Sequence, residues 1–344
     1  MPEHGPGGSL PPTPTAVSSG ALACEDPCVT EQVSEPWDNA ITPLCRGRYW
    51  HELSFLATPG VVLYWEQFIT RTLVRGLSPP GMFVLLVPLR MGRHSNFWKS
   101  PLHEQGLPAM MPGGVHAEFS AGQQHLMALI KLDVFRTRLP EDEVAAIEAA
   151  SCQHLLPASR AAVDTLGRTL KGMLDRTRVD PSMLQHPNTV RAFEDDLLCA
   201  LRRSLSLSLT PPRSVGRAVR QRGLHRAIEY LRATPPGAVS VPELCKVALV
   251  TERTLEYAFQ ETLGLSPKRL IQLRRFHAAR RALLAAPRED ATVSQIAQDN
   301  GFYQPGRFAV GYKQLFGESP SNALKQPPRE LPGRLPRFFD SLRP

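Results

Sequence analysis

Ser240-VPELCKVALVTERTLEYAFQETLG-Leu265-Ser266-Pro267 and Thr292-VSQIAQDNGFYQPGRFAVGYKQLFG-Glu318-Ser319-Pro320 are one pattern written twice in the last third of a 344-residue chain. In both, a short helix meets a tight turn, and a longer helix then ends at a glycine with Ser-Pro close behind. Ser240 with Glu243 has the spacing of a capping box, and Thr292 with Gln295 repeats it. Thr251 suits the N-cap of the longer helix in the first unit. Leu255, Phe259 and Leu263 recur at i, i+4 and i+8 and give that helix one apolar stripe, as Phe308, Tyr312 and Phe316 do in the second unit. Gly264 and Gly317 stand where a left-handed residue stops a helix, and Pro267 and Pro320 suit the first turn of the next. The pattern is that of two helix-turn-helix units, which would place two recognition helices on one duplex.

One capped amphipathic pair is more often ordinary packing than a DNA reader. Two copies joined by a basic helix change that balance. Lys268-RLIQLRRFHAARRALL spans 17 residues, about 26 Å if helical and close to the ~34 Å between major-groove entries on one face of a duplex. The whole chain carries +8, whereas residues 214–329 alone hold 18 Lys and Arg against 9 Asp and Glu. A basic excess by itself is usually a solvated face. Coinciding with the two units, it predicts attraction to phosphates.

The expected base readers of the first unit lie opposite Leu255 and Phe259: Arg253, Glu256, Tyr257 and Gln260. Arg253, near the helix start, has the fork geometry for guanine, and Glu256 can accept from cytosine N4. The bland alternative for Glu256 is an i, i+4 contact with Gln260. Lys268 and Arg274 are expected on phosphates. In the second unit Tyr303 stands where a Ser or Asp cap is common, Pro305 and Gly306 fill the first turn, and Gly311 weakens the helix by about 1 kcal/mol relative to Ala. Its long polar side chains are Gln304, Arg307 and Lys313, which predicts a helix that grips phosphates more than it reads bases.

Gly301-Phe302, Phe308, Tyr312, Phe316-Gly317 and Pro320 resemble the second-unit pattern of the AraC/XylS family of bacterial transcription regulators. Ser240 to Pro267 resembles its first unit, so the likeness covers residues 214–329. Within the family, GFYQPGRFAVGYKQLFGESPSNAL is similar to regulators of ethanolamine-utilisation operons, with weaker likeness at Pro187-NTVRAFEDDLL and Pro112-Gly113-Gly114. The resemblance implies sequence-specific binding to double-stranded promoter DNA, activation through RNA polymerase, and control by a small-molecule effector held in the N-terminal domain. On the closer likeness that effector is ethanolamine, with adenosylcobalamin as cofactor. Some dimerisation is implied as well.

The fold is read as α+β. Length predicts two domains plus tails. Residues 1–40, rich in Pro, Gly, Ser and Thr, are expected to be a disordered tail, without the charged start and apolar core of a signal peptide. Residues 41–209 form the expected sensor and dimerisation domain. A small β-barrel or sandwich is predicted over 41–135, where Met82-FVLLVPL, His116-AEF and Leu126-MALIKL lie between turn signals. Helices follow over 141–209. Val163, Leu166, Leu170 and Met173 make one stripe and Val190, Phe193, Leu197 and Leu201 another, with Asp180-Pro181 between them. They suit a hairpin packed on the β region or a two-helix face between copies in a homodimer. Residues 210–222 read as linker, 223–329 as an all-α domain of two helix-turn-helix units joined by a linker helix, and 330–344 as tail.

Trp50, Trp65 and Trp98 are candidate pocket residues, with plain core the commoner fate of large aromatics. Cysteines 24, 28, 45, 152, 199 and 245 show neither a disulfide framework nor a zinc spacing. No run reaches the ~18 apolar residues of a membrane span. A cytoplasmic, nucleoid-associated protein with reduced thiols is the simplest account.

Two other classes compete. His94, His103, His116 and His125 in a barrel invite a metal-dependent cupin-type enzyme fused to a DNA-binding domain, but they lack an H-x-H pair followed by Glu. Glu194, Asp195 and Asp196 sit on a predicted helix, where adjacent positions point apart and cannot act as an opposed acid/base pair. Neither G-x-S-x-G nor a Walker loop occurs, so no catalytic residue is assigned and a non-enzyme is expected. The third class is a ligand-independent architectural DNA binder, separated from a reader by specificity over competitor DNA at fixed salt.

Overall fold

The computed structural model describes residues 17–34, 37–45, 48–92, 95–97, 100–101, 106–206, 215–263, 265–286 and 291–325. Its first part runs β1 (Ser18–Cys24), α1 (Pro27–Val33), β2 (Asp38–Pro43), β3 (His51–Ala57), β4 (Val61–Phe68), β5 (Thr72–Leu77) and β6 (Met82–Arg90). The short strands β7 (Asn96–Phe97), β8 (Ser100–Pro101) and β9 (Leu107–Met110) follow, then β10 (Gly114–Phe119) and β11 (Gln123–Lys131). Helices α2 (Leu132–Arg138) and α3 (Glu141–Ser151), strand β12 (Leu155–Leu156) and the long helices α4 (Arg160–Val179) and α5 (Pro187–Ser204) complete it.

The strands make two antiparallel sheets, β1-β3-β4-β11-β6-β9-β12 and β2-β5-β10-β7-β8. Period-two alternation decides what each face of the larger sheet meets. In β4, Val62, Tyr64 and Phe68 face the smaller sheet, packing with Val74, Val115, Ala117 and Phe119. Val61 and Leu63 face the other way, against Val163, Leu166, Leu170, Phe193 and Leu197 of α4 and α5. The larger sheet is thus covered on both sides. That is why Met82 to Val87 is a continuous apolar run rather than an alternating one. The two sheets stack as a sandwich and stay separate, which corrects the barrel expectation. Helices α4 and α5 cover the outer face of the larger sheet. Both helical stripes are spent on this contact, inside one copy.

Glu194 belongs to that packing. Its carboxylate accepts Thr58 Oγ1 at 2.6 Å and the Gly60 N–H at 2.9 Å, and pairs with Arg138 at 2.9 Å. It holds the β3–β4 turn to α5, and a Cβ on Gly60 would stand 2.8 Å from it.

Residues 17–34 and 37–40, assigned by composition to a disordered tail, carry β1, α1 and the start of β2. Strand β1 pairs with β3 from Ser18↔Ala57 to Cys24↔His51. Asp26 caps α1 through the Cys28 N–H at 2.8 Å. Cys24 and Cys28 are both buried free thiols.

Among the described residues seven α-helices follow: α6 (Val215–Ala233), α7 (Val241–Ala248), α8 (Glu252–Leu263), α9 (Pro267–Ala285), α10 (Val293–Asp299), α11 (Pro305–Phe316) and α12 (Pro320–Lys325). Helix α9 lies between two apolar clusters. Its first half joins Leu244, Leu255 and Phe259, and its second half joins Ile296, Phe308 and Tyr312.

Candidate nucleic-acid interface

The first unit is α7, a turn, and α8. Ser240 and Glu243 form the reciprocal capping box that starts α7. Leu249 ends it with φ 55, a left-handed position held by backbone bonds to Lys246 and Cys245 carbonyls. Thr251 Oγ1 accepts the Thr254 N–H at 3.3 Å and starts α8. Leu255 and Phe259 are fully buried against α6 and α9, so the opposite face of α8 is turned outward by the helical period. Arg253, Glu256, Tyr257 and Gln260 are all exposed there and line a shallow surface groove with Ser266. The Arg253 guanidinium lies 5.7 Å from the Tyr257 ring centroid. This is a cation–π distance, between residues one helical turn apart. Leu263 (as to its side chain) and Gly264 lie outside the described residues.

The second unit is α10, a turn through Gly301, and α11. Thr292 accepts the Gln295 N–H at 3.2 Å, one half of the expected capping box. Gln304, rather than Tyr303, occupies the N-cap of α11 and makes no side-chain cap bond, with Pro305 next. Gly317 closes the helix in the left-handed region, φ 76. Phe308 and Tyr312 are buried in an aromatic cluster with Phe276, Phe302 and Phe316. Gly311 has a packing reason that composition cannot show: a Cβ there would stand 2.6 Å from Phe276 Cζ. Outward, α11 shows Arg307, Val310, Lys313 and Gln314, with Tyr303 and Gln304 just before it. Val310 is 60% exposed. Sequence reasoning passed over it, although its i+3 spacing from Arg307 was legible.

The linker helix α9 uses its charges differently from the expectation. Lys268 and Arg269 are exposed near its start. Arg274, expected on a phosphate, instead donates Nε–H to Asp38 of β2 at 2.6 Å with its side chain only 10% exposed. Arg275 donates to the carbonyls of Pro236, Gly237 and Val239 at 3.0, 3.3 and 2.8 Å, and to that of Gly301 at 3.4 Å. It thereby ties the two units together. Arg280 pairs with Glu318 at 3.2 Å and stacks on Phe316 at 4.6 Å. Counting basic residues therefore overstated the number free for phosphate.

A second feature lies in the sandwich. Between the two sheets is a small cleft walled mainly by apolar and aromatic side chains. Glu66 lies on its wall. One carboxylate oxygen is 3.0 Å from His51 Nε2 and the other 2.6 Å from His125 Nε2. Burial opposes ionisation of Glu66, but the charge and hydrogen bond of His125, with those of His51, outweigh it and hold the carboxyl at about 2. Phe68 and Phe119 stack at 5.1 Å and flank the histidines, His51 on Phe68 at 4.4 Å and His125 on Phe119 at 4.7 Å.

The sequence-predicted pocket residues are placed elsewhere. Trp65 packs toward α4 under Lys171, and Trp50 donates to Glu52 at 2.8 Å. Trp98 lies outside the described residues, as do His94 and His103. Among the described residues it is Trp37 that lines the cleft. His116 is on the smaller sheet and His125 on the larger. Among the described residues no group of three His, Cys, Asp or Glu is arranged to hold a metal ion.

Comparison with known proteins bears on the C-terminal part. Residues 244–326 match the family model described as a helix-turn-helix domain. The chain is 39% identical over 102 residues to the probable thc operon regulatory protein of Rhodococcus erythropolis, 30% of this chain and 31% of that protein. It is 30% identical over 106 residues to the XylDLEGF operon transcriptional activator of Pseudomonas putida, 31% of this chain and 33% of that one. It thus spans about a third of the length of these relatives. Among solved structures, a transcriptional regulator from Chromobacterium violaceum, described as an AraC-type DNA-binding domain-containing protein, is similar. That match is 26% identical over 34% of this chain and 99% of that chain, at a TM-score of 0.29.

Proposed function

We propose that the chain is a sequence-specific DNA-binding transcription regulator of the AraC/XylS type, an activator gated by a small molecule. One observation carries the DNA reading: α8 buries Leu255 and Phe259 completely while Arg253, Glu256, Tyr257 and Gln260 stand exposed on its other face, with α11 presented likewise in a second unit. Arg253, Glu256, Tyr257 and Gln260 read bases. Lys268, Gln304, Arg307 and Lys313 serve phosphates. Arg274 does so only in an arrangement in which Asp38 has let it go. The deciding experiment selects a duplex from a random pool with the full chain, then measures variants at fixed salt. Arg253→Ala should cost about 1–3 kcal/mol and relax preference at one base pair. Lys268→Ala should weaken all sequences alike and flatten the salt slope by about one unit. Equal loss on every sequence for Arg253→Ala moves that residue to the phosphates.

The cleft is the proposed effector site. Its aromatic walls suit an apolar body. Glu66 has lone pairs beyond the two used by the histidines and suits an amine or another hydrogen-bond donor. Ethanolamine carries such an amine but little apolar surface to set against the walls. A cobalamin is far bulkier than this small cleft, and the residues there do not fit it. Thermal shifts of the full chain with ethanolamine, larger amines and adenosylcobalamin separate these ligands. An activator also meets RNA polymerase. A homodimer would have to use the outer groove between α4 and α5, since their apolar stripes are already buried.

A further inference from the structure

The polar groups on the wall of the cleft are few, and each has a definite state. Glu66 turns one oxygen to His51 and the other to His125, and neither histidine is itself on the wall. Trp37 Nε1 and Asn39 Oδ1 are buried on the wall without a hydrogen-bond partner. Trp37 is only 6% exposed, and its N–H lies beside the Tyr64 hydroxyl without completing a hydrogen bond of normal geometry. Both groups are held in place by the backbone around them. The Trp37 backbone N–H donates to the Ser34 carbonyl at 2.9 Å, and β2 is pinned to α1 where the Ile41 N–H donates to the Glu31 carboxylate at 2.8 Å. A buried donor or acceptor left unpaired carries its full desolvation cost. A ligand that pairs both is therefore selected over one that pairs neither.

Charge narrows the choice further. Among the described residues on the wall none is Lys, Arg or His, so an anionic ligand would meet Glu66 with no cation to answer it. Tyr64 shows what the cleft does to an acid: burial, reinforced by the Glu66 charge, raises its hydroxyl well above the usual tyrosine range. A cationic ligand gains little, because Glu66 is already answered by its two histidines and a further charge would be desolvated between apolar walls. An uncharged ligand avoids both costs. Its polar end needs an acceptor for the Trp37 N–H, and donors for Asn39 Oδ1 and for the Glu66 lone pairs beyond those on the histidines. A primary carboxamide carries that set in one planar group, and it answers the Asn39 amide in either of its two orientations.

We propose that the cleft takes a small uncharged molecule, a primary carboxamide on an apolar body, with Trp37 and Asn39 selecting it and Glu66 excluding carboxylates. This rests on reading the cleft as the effector site, and it narrows the amine or other donor named there to an uncharged donor.

The test uses the full chain and congeners that share one body: propionamide, propylamine and propionate, then benzamide, benzylamine and benzoate. Affinities are read by NMR titration at neutral pH. In at least one series the amide should bind about tenfold more tightly than both its congeners. Trp37→Phe keeps an aromatic ring and removes the N–H, and Asn39→Ala removes the acceptor; each should weaken the amide about tenfold. Glu66→Gln should close most of the gap between amide and carboxylate. Ala117→Leu, which fills the cleft from β10, should abolish binding, with Ala117→Val as the milder filling if the first does not fold. An amine or carboxylate that binds more tightly than its amide, and is lost on filling, overturns the carboxamide and leaves the cleft as a ligand site. Binding that is unchanged by filling lies elsewhere and refutes the cleft reading itself. Amide affinity untouched by Trp37→Phe and Asn39→Ala, a carboxylate gap that survives Glu66→Gln, or no binding by either amide also overturns the proposal.

Discussion

A carboxylate enclosed by aromatic rings is stable only when its charge is answered locally, and Glu66 meets that condition through His51 and His125. The folded carboxyl ionises at about 2, whereas an unfolded glutamate does so near 4.3. Between those values the unfolded chain binds more protons, so this contribution is fully present above pH ~4.3 and disappears as pH falls through about 2. The difference in stability between wild type and Glu66→Gln, followed by chemical denaturation, should shrink over that window from a plateau of the order of 3 kcal/mol. A difference that is flat from pH 6 to 2.5 would mean that the folded Glu66 carboxyl titrates like an unfolded one, and a difference that grows as pH falls toward 4.3 would mean that it is neutral in the folded protein. On the reading face of α11, Val310 has no hydrogen-bond donor or acceptor to offer in its side chain, and its exposure suits a thymine methyl in the major groove. Replacing thymines of a selected duplex one at a time by uracil should weaken wild type at one position and leave Val310→Ala indifferent there. Wild-type binding insensitive to every such replacement would leave α11 a phosphate grip, as its sparse polar side chains first suggested.

Helix α11 also shows how one element can break a propensity rule for a reason that lies elsewhere in the fold. Alanine at Gly311 would gain about 1 kcal/mol of helix propensity. Its Cβ would meet the Phe276 ring at 2.6 Å within a packed aromatic cluster, and overpacking of that kind costs about 1–3 kcal/mol. The second effect wins in most of that range, so Gly311→Ala should lower the melting temperature of the full chain, and Phe276→Leu should relieve the loss. The Ser240–Glu243 capping box, the Thr251 and Thr292 caps, the buried pairs Leu255–Phe259 and Phe308–Tyr312 and the Gly317 stop were legible because they are local: each device lies within four residues of its partner. Helix α1 was not legible, because its seven residues satisfy two surfaces at once and one partner, His277, is 246 residues away. A buried Glu31 in a short polar helix reads as tail until α9 is beside it. The charges of α9 were misread for the same reason, since Asp38, Glu318 and the carbonyls around Gly237 that engage Arg274, Arg280 and Arg275 are far away in sequence. Sheet closure was equally invisible, because a strand buried on both faces has the same composition in a barrel and in a covered sandwich.

At the scale of the whole molecule the question is how much of the DNA-binding part stands without the sensor. Each unit assembles its core almost wholly from its own helices, with Leu77 as the one sensor residue in the first cluster and Cys28 as the one in the second, among the described residues. Removing the sensor uncovers the surfaces beneath those two side chains and leaves Arg274 and His277 without Asp38 and Glu31. Neither loss breaks a cap, a stripe or the Arg275 tether between the units. A fragment starting at Ser214 should therefore fold, melt below the full chain, and keep the base preferences of the full chain on a selected duplex. Calorimetry checks the first two and competition binding at fixed salt the third. The informative result is the combination: a folded fragment without sequence preference would mean that the sensor, by gripping both units, creates the reading arrangement rather than restraining it.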